Sequence, residues 1–192
     1  MNIVASAGLC LCLVGPQISQ AQEWSLRAEQ IGSVNRAARD VDITAVTLSA
    51  PRGAFAFGKY GVLGGFLASD GRVTQAGATA DQTATANAVF LGGYARFEPD
   101  ERPDAAFSPF VEIGMAAVVT DRNWPAPLRP GDPRARFYGK FDARLGAEVS
   151  LSEGLALEGA AMLSHISNAH GQVADNLNFD GAGFSLGITS RW

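Results

Sequence analysis

His165 and Ser167 are separated by a single residue, near the end of a segment in which apolar and polar residues alternate. Residues two apart on a strand share a face, so the imidazole and the hydroxyl stand side by side. Leu155, Leu157, Gly159, Ala161 and Leu163 fall on the same face, and Glu158 and Asn168 on the opposite one. A serine hydroxyl becomes a nucleophile when a base takes its proton. An unperturbed histidine titrates in the range that role needs. A third group that orients the imidazole, and a donor for the oxyanion, complete the machinery of acyl hydrolysis. A bare His-x-Ser arises by chance in many chains, and its bland reading is a polar girdle at a membrane interface. His170, in the segment that follows, reads as solvated. No second ligand accompanies it, so neither a metal nor another cofactor is expected.

The elements that position this pair alternate throughout. In Arg136–Val149, Phe137, Gly139, Phe141, Ala143, Leu145, Ala147 and Val149 share one face, while Arg136, Tyr138, Lys140, Asp142, Arg144 and Glu148 share the other. Val111, Ile113, Met115, Ala117 and Val119 likewise oppose Glu112 and Gly114. A soluble sandwich buries its apolar face, whereas a membrane barrel turns it to lipid and keeps the charged one inside. Alternation alone does not distinguish the two; strand length and the C-terminus help. Eight strands are predicted, at 24–33, 41–50, 54–68, 85–98, 107–120, 135–151, 154–168 and 183–192. Strands of ten residues or so suit a tilted membrane span, against about five or six in globular sheets. The expected fold is all-β: an eight-stranded antiparallel up-and-down transmembrane barrel. Glu112, Lys140, Asp142, Arg144, Glu148 and Glu158 would pair within its lumen.

Turns are expected to be short at Ala50-Pro51-Arg52-Gly53 and Ser152-Glu153-Gly154, and connections long at about 69–84, 121–134 and 169–182. Long loops mark the outer side, which places His165 and Ser167 at the depth of the outer leaflet. The last strand carries Phe184, Leu186 and Ile188 on one face and ends at Trp192, like the assembly signal of outer-membrane proteins; Ser190 departs from that pattern.

The 192 residues fit one domain, and a net charge of -4 excludes a strong nucleic-acid binder. Ile3–Val14 is a short apolar run broken by Gly15-Pro16, and Ser19-Gln20-Ala21 supplies small residues before a cleavage point. Residues 1–21 therefore read as a signal peptide cleaved after Ala21, with the barrel spanning 22–192. Cys10 and Cys12 both fall inside that leader, so no disulfide framework is expected in the mature chain. The expected location is the bacterial outer membrane.

His165-Ile166-Ser167-Asn168-Ala169 resembles the H-x-S-N-A signature of the lipid A 3-O-deacylases of the PagL type. Pro109-Phe110-Val111-Glu112-Ile113-Gly114 resembles that family's P-F-[IV]-E-x-G strand, and Phe141-Asp142-Ala143-Arg144-Leu145-Gly146-Ala147 its F-E-D-R-I-G-A strand. Phe184-Ser185-Leu186 fits its closing strand. The resemblance is detailed over about 107–192 and architectural before that. It implies hydrolysis of the ester that holds the 3-hydroxyacyl chain on lipid A, without a cofactor. Ser167 would be the nucleophile, His165 the general base and Asn168 an oxyanion contributor through side chain or backbone. The family's acid, a Glu, falls at Ala182 or Gly183, neither of which can orient an imidazole.

Asp180 is the nearest substitute, since 180 and 182 share a face if the last strand extends back; Asp175 is a weaker one. Against that role, Asp180-Gly181 is a common turn dipeptide, and the turn is the reading the dipeptide favours. A triad without its acid can keep some catalysis. The implied partners are lipopolysaccharide and the outer membrane, with the oligomeric state open and a homodimer one option. The alternative is a non-enzymatic eight-stranded barrel, an antigen or adhesin acting through its outer loops. A soluble lipocalin-like binder fits the polar strand faces less well.

Overall fold

The computed structural model describes residues 23–34, 40–73, 82–83, 85–98, 106–121, 136–168 and 179–192. The expected signal peptide lies outside them. The chain forms β1 Glu23–Ser33, β2 Asp40–Phe55, β3 Gly58–Val73, β4 Ala86–Phe97, β5 Phe107–Thr120, β6 Phe137–Ser152, β7 Leu155–Asn168 and β8 Phe179–Arg191. Each pairs antiparallel with its sequence neighbours, and β8 closes onto β1 from Glu23↔Arg191 to Ser33↔Gly181. A two-residue strand, Gln82–Thr83, extends the pairing of β3. The result is the expected closed eight-strand barrel. Closure leaves no strand edge with unpaired backbone groups, which is the condition for crossing lipid with β-structure.

The sidedness that alternation left open is now resolved. Leu91 is 71% exposed and Leu145 67%, on the outer wall, whereas Arg27, Glu112, Lys140 and Arg144 are buried inside. Apolar outside and charged inside is the membrane arrangement, and the protein is a membrane-spanning β-barrel. The turns at 56–57 and 153–154 are tight, so they mark the inner side and the opposite strand ends face outward. Leu145 lies near the middle of β6. Leu145→Arg is expected to lower stability by about 2–4 kcal/mol, the cost of a cation at the bilayer midplane. Urea titration in lipid vesicles measures this, and an unchanged midpoint would place Leu145 away from lipid.

Several predicted boundaries move, and β3 also runs on to Val73 rather than ending at 68. The expected turn at Ala50–Gly53 is not one: β2 continues through a bulge between Pro51 and Gly53 and turns at 56–57, so β3 starts at Gly58 rather than at 54. Proline cannot donate to a ladder, and a closed barrel has no edge to put it on, so the sheet absorbs Pro51 in a bulge. The last strand begins at Phe179 rather than at 183. Its extra residues pair with β7 as far as Ile166↔Phe179, and the Val34 amide donates to the Asp180 carbonyl at 2.8 Å. Two flanking strands thus hold the Asp180-Gly181 dipeptide extended, and the turn reading is overturned.

A charge lattice crosses the lumen. Arg27 on β1 donates both terminal nitrogens to Glu112 on β5, at 2.8 and 2.9 Å, and its Nε to Glu158 on β7. Arg96 on β4 donates to Glu158 at 2.8 Å and to Glu148 at 3.2 Å. Arg144 donates to Glu112 at 2.6 Å and to Glu29, which also accepts from Thr47 Oγ1 at 2.7 Å. Of the six residues expected to pair with one another, Arg144 meets Glu112 and Lys140 meets Asp142, whereas Glu148 and Glu158 pair instead with Arg96 and Arg27, from the first half of the chain. Alternation over Ser25–Glu29 was the available signal for Arg27 and Glu29. Breaking a buried ion pair from one side strands the partner's charge. Arg27→Ala is thus expected to cost about 3–5 kcal/mol, read as a lowered urea midpoint. A wild-type midpoint would show that the lattice does not hold the lumen together. Toward the outer end the interior turns apolar, with Ile31, Ile43, Phe90, Val118, Ile166 and Phe179 in one cluster.

Candidate functional site

On β7, Met162, Ser164 and Ile166 point inward and are buried, while Leu163 is exposed and His165 and Ser167 are half-buried on the outer wall. Directly behind them Ile166 pairs with Phe179 on β8, both fully buried. Packed side chains on the inner face thus back the stretch that presents the polar pair. Below His165 the outer wall is apolar, with Leu163, Leu145 and Leu186 all exposed. Polar outward residues gather toward the outer ends of other strands. Thr85 donates to Asp70 at 2.9 Å, and Asn87 bonds to Asp121 through its amide and its side chain. His165 therefore stands at the boundary between apolar wall and polar rim.

The register of β7 and β8 sets His165 directly opposite Asp180. The imidazole Nδ1 lies 2.7 Å from Asp180 Oδ1, with the side chains 38% and 50% exposed. An acid here keeps Nδ1–H donating to the carboxylate and leaves the Nε2 lone pair as the base. On the other side His165 pairs with Phe141, whose ring centroid lies 6.4 Å away at 43° and restricts the imidazole plane. Ser167 is two residues along the strand, about 6.6 Å between Cα atoms at the usual rise. Across the strand Ser167 faces Gly139, where the ring edge of Phe141 is the nearest side chain.

Asp180 and the two positions where the resemblance expects a Glu stand differently toward His165. Residues directly opposite on antiparallel strands have Cβ atoms about 4.5–5.5 Å apart, and diagonal neighbours about 7–8 Å. Asp180 is directly opposite His165 and needs only a short side chain. Ala182 pairs with Leu163 and is diagonal to His165, so an acid there would need the longer reach of Glu. Gly183 is excluded as that position, because a Cβ on it would lie 1.9 Å from the Gln30 carbonyl oxygen. The backbone of Asn168 pairs with Tyr138; its side chain, and both His170 and Asp175, lie outside the described residues. Among the described residues, no three His, Cys, Asp or Glu side chains form a metal-ligand set.

Fold and outer-wall polarity together define an outer-membrane β-barrel. Among solved structures, the chain is similar to the outer membrane protein OprG from Pseudomonas aeruginosa, with a TM-score of 0.58 and 11% identity over 90% of this chain and 97% of that one. It is also similar to Neisserial surface protein A, with a TM-score of 0.51 and 10% identity over 90% and 96%. The outer membrane enzyme PagL aligns with a TM-score of 0.49 and 13% identity over 88% and 98%. No family model matches the chain, and no curated protein matches it.

Proposed function

We propose that this barrel hydrolyses an ester-linked acyl chain of an outer-leaflet lipid, the 3-O-hydroxyacyl chain of lipid A being the substrate implied by the H-x-S-N-A signature. The hydrogen bond between His165 Nδ1 and Asp180, on the lipid-facing wall beside Ser167, carries this reading. Ser167 Oγ attacks the acyl carbonyl carbon while His165 Nε2 takes its proton. The tetrahedral intermediate expels the sugar oxygen, which receives that proton and leaves as the hydroxyl. Water then attacks the acyl-serine, giving its proton to His165 and releasing the hydroxy acid, and the proton returns to Ser167. Asp180 stabilises the transient imidazolium in both halves. Asn168 would aid the oxyanion, through a backbone or side-chain donor.

The second reading is a non-enzymatic surface barrel acting through its outer loops. The structures this chain resembles include one described as an outer membrane protein and one as a surface protein. Incubating purified protein with lipid A in mixed micelles and following it by mass spectrometry separates the two. Loss of one hydroxyacyl mass, matched by free hydroxy acid, is expected. Unaltered lipid A would favour the surface-barrel reading.

A further inference from the structure

The geometry points to an acyl-length ruler on the outer wall: a slot that starts at Ser167, runs over Gly139 and Ala117, and stops against Leu91. The inference rests on the hydrolase reading and adds what selects the substrate chain. These four residues are successive cross-strand partners, Ser167↔Gly139, Gly139↔Ala117 and Ala117↔Leu91. They therefore form one row across β7, β6, β5 and β4 on the outer face. The floor of the row is small, whereas its walls are large. Phe137 and Val119 stand on one side and Phe141 and Met115 on the other, each between 47% and 60% exposed. A Cβ on Gly139 would meet only Phe141 Cε2 at 3.5 Å and the Ser167 carbonyl at 3.9 Å. These are ordinary van der Waals contacts, so the edge of the Phe141 ring borders the floor at Gly139, and the backbone there does not require glycine.

The row also descends. Ser167 is second from the outer end of β7 and Gly139 third in β6; Ala117 is fourth from the outer end of β5 and Leu91 sixth in β4. Each step along the hydrogen-bonding direction thus moves deeper into the hydrocarbon. A lipid ester whose carbonyl sits at the polar boundary on Ser167 would lay its acyl tail along this line without leaving the bilayer. Two strand spacings give about 10 Å of floor before Leu91, which suits a chain of medium length. Leu91, 71% exposed, closes the slot. Its Cδ1 lies 3.3 Å from where a Cβ of Gly64 would be, and Gly64 is its partner on β3. Leu91 thus covers the next small residue in the row, and trimming it would lengthen the floor by one spacing, about 5 Å.

The test uses the purified barrel in mixed micelles with synthetic 3-O-acyl glucosamine phospholipids carrying a graded series of saturated chains. Gly139→Leu is expected to cut cleavage of medium and long chains by about tenfold or more while sparing the shortest. Ala117→Leu is expected to do so less severely, because it blocks farther from the ester. Leu91→Ala is expected to shift the optimum to longer chains. Folding of each variant is checked by its unheated band in SDS gels. A parent that cleaves, with a length profile unchanged in the folded variants, would overturn the ruler and leave the hydrolase standing. A parent that cleaves no chain length would overturn both.

Discussion

Ser167→Ala is expected to bring lipid A deacylation to the background rate, a loss on the order of 10⁶-fold if the site works as a unit. The variant should still fold, because Ser167 is half-buried on the outer wall, faces Gly139 across the strand and makes no contact that the lumen needs. With the hydroxyl gone, the His165–Asp180 pair keeps its geometry but has no nucleophile two residues along the strand. Residual turnover would then be water attack assisted by the imidazole, without an acyl-enzyme. Mass spectrometry tests both points. The parent protein stopped early in turnover should show Ser167 carrying the acyl mass, and Ser167→Ala should show none. Undiminished cleavage by Ser167→Ala would remove Ser167 as nucleophile and leave the barrel reading untouched.

Asp180→Asn is expected to lower kcat by about 10⁴-fold with little change in KM, the size of effect known when a triad aspartate becomes an amide. An asparagine facing His165 Nδ1 can present its N–H, which would place the imidazole proton on Nε2 and remove the base that faces Ser167. The register makes a sharper test possible. Ala182 is diagonal to His165 and Asp180 is directly opposite, so a Glu at 182 and an Asp at 180 would reach the same nitrogen by different paths. Ala182→Glu placed in the Asp180→Ala background is expected to recover a measurable part of the lost rate. Ala182→Gln in the same background should not. Activity unaffected by Asp180→Asn would reduce Asp180 to a strand residue that touches His165 without serving it.

Much of this protein was legible in its sequence because a strand's side-chain period is two. Alternation over long segments gave the eight strands and the shared face of His165 and Ser167, and it named Glu112, Arg144, Glu148 and Glu158 as facing inward. The H-x-S spacing suggested the chemistry. Local rules failed where closure competed with them. Pro51-Arg52-Gly53 has turn composition, yet β2 runs through it because a barrel strand must pair on both sides. Asp180-Gly181 also has turn composition, yet β1 and β7 hold it extended.

What only the tertiary structure decided is which distant residues meet. Sequence placed Asp180 fifteen positions from His165 and two short of the expected acid; the register of β7 and β8 brought it to 2.7 Å. Arg27 and Glu112 lie 85 residues apart and meet across the lumen. The descending row from Ser167 to Leu91 draws its residues from four strands. A side chain's face is fixed by its neighbours in the chain, so periodicity reveals it. Its partner is fixed by the stagger at which the sheet closes on itself, a property of all eight strands together that no single segment carries.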